Sequence, residues 1–157
     1  MNWESLACHA AWLAMICPLV CAGTLTRSAS AADAPTGGKA IVYVGTYNRG
    51  RDQPGIHIFR MDLATGSLEP VGNATGCVNP TFLAIHPNQQ FLYAVNEVAD
   101  SEGRPGGAVA AYAIDRASGQ LTLLNRQPSE GKGPCHLVVD KEGRNVLVAN
   151  YGSGIGG

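Results

Sequence analysis

Two side chains able to move protons stand at the ends of apolar runs in this 157-residue chain: Glu97, closing LYAVNE (92–97), and His136, in GPCHLVV (133–139). A carboxylate can position or deprotonate water and bind hydroxyls, and an imidazole can donate to a ligand or exchange a proton near neutral pH. Each has a plainer reading, an exposed loop carboxylate and a hydrogen-bonded buried histidine. Tyr47, Asn96, Asn150 and Tyr151 add polar groups that could contact a ligand. Asn96 and Asn150 could equally satisfy backbone groups where a strand leaves its sheet. His86, in His-Pro-Asn-Gln, reads as turn structure.

Other chemistries find little support. No Cys-x-x-Cys or His-x-x-x-His spacing exists, so no metal site is expected. Gly152 to Gly157 fits Gly-x-Gly-x-x-Gly, but no helical pattern follows to receive a pyrophosphate. No Gly-x-Ser-x-Gly elbow offers a serine nucleophile. Asn73-Ala74-Thr75 is a glycosylation sequon, relevant only in a eukaryotic secretory pathway. With a formal net charge of −1 and no basic cluster, nucleic acid and anionic membrane surfaces are poor partners.

The elements that must position these residues repeat. NPTFLAIHPNQQFLYAVNE (79–97) and GKGPCHLVVDKEGRNVLVANYGSG (131–154) align with Pro80 on Pro134, Leu83 on Leu137, His86 on Asp140 and Asn96 on Asn150, each pair 54 residues apart. DLATGSLEPVG (62–72) returns as DRASGQLTLLN (115–125), a hairpin turn in which Asp bonds its own backbone and Gly takes positive φ. One period holds four strand patterns, at 81–86, 91–97, 108–114 and 121–126, with no helical period between them. IVYVGTY and IHIFRMD (56–62) supply two strands of an earlier unit. Four antiparallel strands per repeat predict an all-β propeller, with strands ordered from innermost to outer. Residues 41–72 lack an innermost strand and the last unit stops after its second, so a fragment of a little over two blades is expected. In a blade, the outer-to-next-innermost loops (76–80, 131–136) and the second-to-third loops (47–55, 96–107, 150 onward) share one end. Glu97 and His136 are therefore predicted to face one channel mouth, with Tyr47, Glu97 and Tyr151 at equivalent strand exits.

Residues 41–154 resemble the lactonase seven-bladed propellers of the 6-phosphogluconolactonase type, which are related to the fungal muconate lactonising enzymes. The carriers are VYVGTY (42–47), Asp-x-Ala-Thr-Gly-x-Leu (62–68), NPTFLAIHP (79–87), LYAVNE (92–97) and GPCHLVVDKEGRNVLVANYGSG (133–154). The resemblance implies a metal-independent, cofactor-free hydrolase opening a sugar lactone at the central channel. It also places the family's acid/base candidates, a His-rich motif and an Arg-containing relative of Gly-Pro-Cys-His, in later blades, so the fragment alone is expected to be inactive. Two alternatives remain open: a propeller that only binds, since this fold hosts many functions, and ring closure of a muconate.

Residues 10–23, AAWLAMICPLVCAG, form an apolar run too short to span a bilayer comfortably, and Ala29-Ser30-Ala31 follows as a cleavage pattern. Residues 1–31 read as a signal peptide for export to a periplasm or medium, 32–39 as a linker, and 40–157 as the propeller part. Glu4 and the lack of Lys or Arg before residue 10 are unusual for such a leader; a misplaced start codon on a cytoplasmic protein is the alternative. Cys8, Cys17 and Cys21 would leave with the leader. Cys77 and Cys135 are expected as two free, partly buried thiols.

Overall fold

A computed structural model describes residues 38–101 and 103–157. The leader at 1–31 and most of the linker lie outside the described residues.

Strands dominate what is described. β1 (Lys39–Gly45), β2 (Ile56–Asp62) and β3 (Leu68–Ala74) form one antiparallel sheet in that order. β4 (Leu83–Ile85), β5 (Phe91–Asn96), β8 (Ala108–Ile114) and β9 (Leu121–Pro128) form a four-stranded sheet in the predicted innermost-to-outer order. β10 (Pro134–Val139), β11 (Val146–Asn150) and β12 (Ile155–Gly156) begin a third. Val, Ile, Tyr and Phe supply the pleated surfaces, and alternation decides the faces: Ala108, Ala110 and Tyr112 of β8 are buried while their neighbours are less so. Where the sequence suggested one long loop, 96–107, the chain adds a small hairpin, β6 (Asp100–Ser101) with β7 (Arg104–Pro105). Two-residue strands are too short for a period of two to register.

Each blade packs on the next through its faces. Ile56, Ala74, Cys77, Leu92, Ala94 and Tyr112 form the core between the first two blades, with Tyr43 and Leu83 against it. Val95, Leu137 and Val148 form the next core, with Phe82, Ala84 and Tyr93 beside it. β4 touches β10, the innermost strand of the next blade, and also β1, the first strand of the preceding sheet.

The predicted turns form as read. Asp62 accepts from the backbone N–H groups of Ala64 and Thr65, both at 3.0 Å, and Gly66 has φ of 72°. Asp115 accepts from Ala117 N–H at 2.9 Å, and Gly119 has φ of 79°. These amide donors hold both carboxyls below the ordinary aspartate range. His86 does more than shape a turn. Its Nδ1 accepts from Asn88 N–H at 3.1 Å, which leaves Nε2–H to donate to Gly143 O of the following blade at 2.8 Å.

Candidate functional site

The second-to-third loop of each blade begins where β1, β5 and β11 leave their sheets, and Glu97 is the first residue past β5. Asn79 clamps its backbone from both sides, since Glu97 N–H donates to Asn79 O and Asn79 Nδ2 donates to Glu97 O, each at 3.2 Å. Asn79 in turn exchanges bonds with Asn48, its N–H reaching Asn48 Oδ1 at 2.7 Å and its Oδ1 accepting from Asn48 N–H at 3.2 Å. The loops of two blades are thereby tied into one platform.

On this platform the Glu97 carboxylate is half-buried and receives two hydroxyls. Tyr47 donates to Oε1 at 2.7 Å, and Thr81 donates to Oε2 through a short hydrogen bond. Tyr47 and Glu97, predicted at equivalent exits of consecutive blades, are thus in direct contact. The bond to Glu97 raises the Tyr47 phenol above its ordinary pKa, with desolvation and the carboxylate charge acting the same way, so the hydroxyl stays protonated. Beside Tyr47 lies a cavity of about 550 Å³ whose walls include Arg49, Gln53 and His57. A comparable cavity of about 560 Å³ sits at the opposite end of the blades, among turn residues such as His86, Asp115 and Gly119, away from Glu97.

His136 is exposed and packs against Phe82, with ring centroids 4.2 Å apart and ring planes tilted at 48°. It is therefore not the buried, hydrogen-bonded histidine of the plainer reading. The ladder between β10 and β11 slips between Pro134 and His136, leaving Cys135 as an extra residue, and such a bulge re-aims the side chains beside it. Tyr151, at 87% exposure, is not brought to Glu97 by any contact among the described residues.

Asn96 and Asn150 are buried, and they are not equivalent. Asn96 Oδ1 accepts the Cys77 thiol. Asn150 donates Nδ2–H to Ser129 O at 2.9 Å, while its Oδ1 is buried with no partner among the described residues. Gly131 occupies the place in the third blade that Cys77 occupies in the second, and it has no side-chain donor to offer. Burial pushes the Cys77 thiol up to about 12. Both cysteines of the propeller part are free, Cys77 fully buried and Cys135 half-buried.

One four-stranded antiparallel sheet flanked by two three-stranded ones and packed face to face, with polar loops of neighbouring blades tied together at one end, has the architecture of β-propeller blades. The chain belongs to the lactonase, 7-bladed beta-propeller family, whose model matches residues 41–155. It is 44% identical over 116 residues to a 6-phosphogluconolactonase of Bacillus subtilis, covering 74% of this chain and 32% of that protein. It is 33% identical over 110 residues to a 6-phosphogluconolactonase of Formosa agariphila, covering 70% of this chain and 30% of that protein. The solved structure of a periplasmic gluconolactonase from Pseudomonas aeruginosa superposes with a TM-score of 0.64 at 32% identity, over 73% of this chain and 31% of that one. The chain thus spans about a third of the length of these relatives.

The strand order and the loop face were predictable from the repeat. Thr81, Asn79 and Asn48 carry no such signal, because each is an ordinary polar residue near a strand end. The signal that could have flagged Thr81 is its place directly after Pro80, across from the strand that ends at Glu97.

Proposed function

We propose that this chain contributes blades to a sugar lactonase in which water opens a cyclic ester. The observation that carries the reading is the Glu97 carboxylate, fixed by two hydroxyls on the loop face. In the reaction proposed, Glu97 takes a proton from water as the water oxygen bonds to the carbonyl carbon. The carbonyl oxygen gathers charge, the bond from that carbon to the ring oxygen then breaks, and the released alkoxide takes a proton, for which His136 is the donor available on the next blade. Tyr47, Asn96, Asn150 and Tyr151 are assigned to binding, with the two tyrosines accessible and the two asparagines acting through the loops they hold. Relatives named 6-phosphogluconolactonase support a sugar lactone as substrate.

A second reading has its own observation. Both oxygens of Glu97 are engaged, which suits a latch between blades in a propeller that only binds. Lactone hydrolysis by the whole protein, followed by acid release in weakly buffered solution, separates the two. Loss of turnover in Glu97→Gln with retained folding supports the lactonase; full turnover in that variant leaves the latch.

Export is proposed on the apolar run at 10–23 and Ala29-Ser30-Ala31, and the existence of a periplasmic relative supports it. The mature chain then starts near Ala32. An intact Met1 on protein recovered from the cytosol is the result that removes this proposal.

A further inference from the structure

The two groups assigned to proton transfer lie on different blades, yet both lead back to one pair of consecutive residues. Thr81 donates its hydroxyl to Glu97 Oε2. Phe82, the next residue, carries the ring against which His136 packs at 4.2 Å. The backbone of this pair is itself fixed: Thr81 N–H donates to Asn79 O at 2.8 Å, and Phe82 O accepts from Val95 N–H at 3.1 Å. Pro80 ahead of them is buried and restricts the approach. Phe82 belongs to the partly buried set packed on the core between the second and third blades, so its ring has a supporting wall.

We infer that Thr81 and Phe82 form the positioning element of the site, one orienting the carboxylate and the other the imidazole. This rests on the lactonase reading and deepens it. The physical reason is economy of rigid connections. Two side chains on separate loops keep a fixed separation only if both are referenced to one stiff piece of backbone, and residues 81–82 are held on both flanks. Neither Thr81 nor Phe82 is proposed to touch the reacting atoms. Removing the Thr81 hydroxyl frees the carboxylate to rotate about its last torsion with only Tyr47 to hold it. Removing the Phe82 ring leaves the His136 imidazole without its packing surface.

The test uses the whole protein and four variants. Thr81→Val, nearly isosteric, should lower kcat about tenfold or more with KM changed less than about twofold, because misplacement of a catalytic group costs rate rather than ground-state binding. Thr81→Ser should recover most of the loss. Phe82→Leu should lower kcat in the same way, and Phe82→Tyr should recover it. A second readout needs no turnover: in Phe82→Leu the ring protons of His136 should move downfield in the NMR spectrum as the aromatic shielding disappears, and in Phe82→Tyr they should stay. Unmoved His136 resonances, or a Thr81→Val enzyme with full kcat beside an inactive Glu97→Gln, overturn the inference alone. If Glu97→Gln itself turns over lactone normally, the lactonase reading and this inference fall together.

Discussion

Phe82 and His136 hold the same place in consecutive innermost strands, 54 residues apart in sequence, and their rings meet at 4.2 Å. Tyr47 and Glu97 repeat the relationship one strand further out, as equivalent exits bonded at 2.7 Å. Adjacent blades therefore bring repeat-equivalent residues into contact, and the site is assembled from such pairs.

Glu97→Gln and His136→Ala should each lower lactone turnover by a factor of about 10² or more in the whole protein, as expected for groups that transfer protons. Melting temperatures should stay within a few degrees. His136 is exposed, so its loss removes little packing. Unchanged turnover in both variants returns them to structural roles.

Tyr47→Phe removes one of the two hydroxyls on the Glu97 carboxylate and leaves the ring in place. Tyr47 is largely exposed, so stability should change little while kcat falls. A large stability loss with normal kcat, read by urea unfolding and steady-state kinetics, would mark the pair as a latch.

Cys77→Ala removes the donor to Asn96 Oδ1 in a buried setting and should destabilise by about 1–3 kcal/mol, with Cys77→Ser costing less because a hydroxyl still donates. In the native protein at pH 8, iodoacetamide should label Cys135 before Cys77, as peptide mapping will show. Equal labelling would contradict both the burial of Cys77 and its thiol pushed up to about 12.

Stability should fall at both ends of the pH scale. Asp62, Asp115 and Asp140 have folded pKa values below the ordinary 3.8, so their contribution is present above about pH 4 and is lost as acid titrates them in the folded state. Cys77 is raised from 9.0 to about 12, so the unfolded chain ionises first and stability drops as pH climbs between those values. Denaturant midpoints measured across pH should trace a plateau between these limits, and a midpoint rising from pH 9 to 11 would refute the assignment.

Gly143→Ala should cost at least about 2 kcal/mol, because the glycine has φ of 72° and a Cβ there would stand 2.3 Å from the His86 ring. His86→Ala in the same background should relieve part of that loss, which a double-mutant cycle will measure.

The blade order, the turn aspartates and the loop face were legible because each rests on a periodicity: two within a strand, 54 between blades. The bonds that make the site were not. Glu97 could be placed at a strand exit, but its partners come from residues 47 and 81, and nothing in local pattern pairs them. Asn96 and Asn150 look alike in an alignment, yet one meets a thiol and the other an unfilled place beside Gly131, because the difference lies 19 residues away from each asparagine in the chain. His136 was open between a buried and an accessible role, and the bulge at Cys135 is invisible to a period of two.

Chain number here acts as an angular coordinate. Between the second and third blades a step of 54 residues keeps the place within a blade and advances it by one blade, so Thr81 and Cys135, or Cys77 and Gly131, are two settings of one address. The same substitution made at both settings compares one address in two neighbourhoods, the bulge at Cys135 being a further difference at the first of these pairs. Exchanging Thr81 with Cys135 would ask whether a hydroxyl is needed beneath the carboxylate or merely somewhere on the rim, a question that a fold without repeats cannot pose within a single molecule.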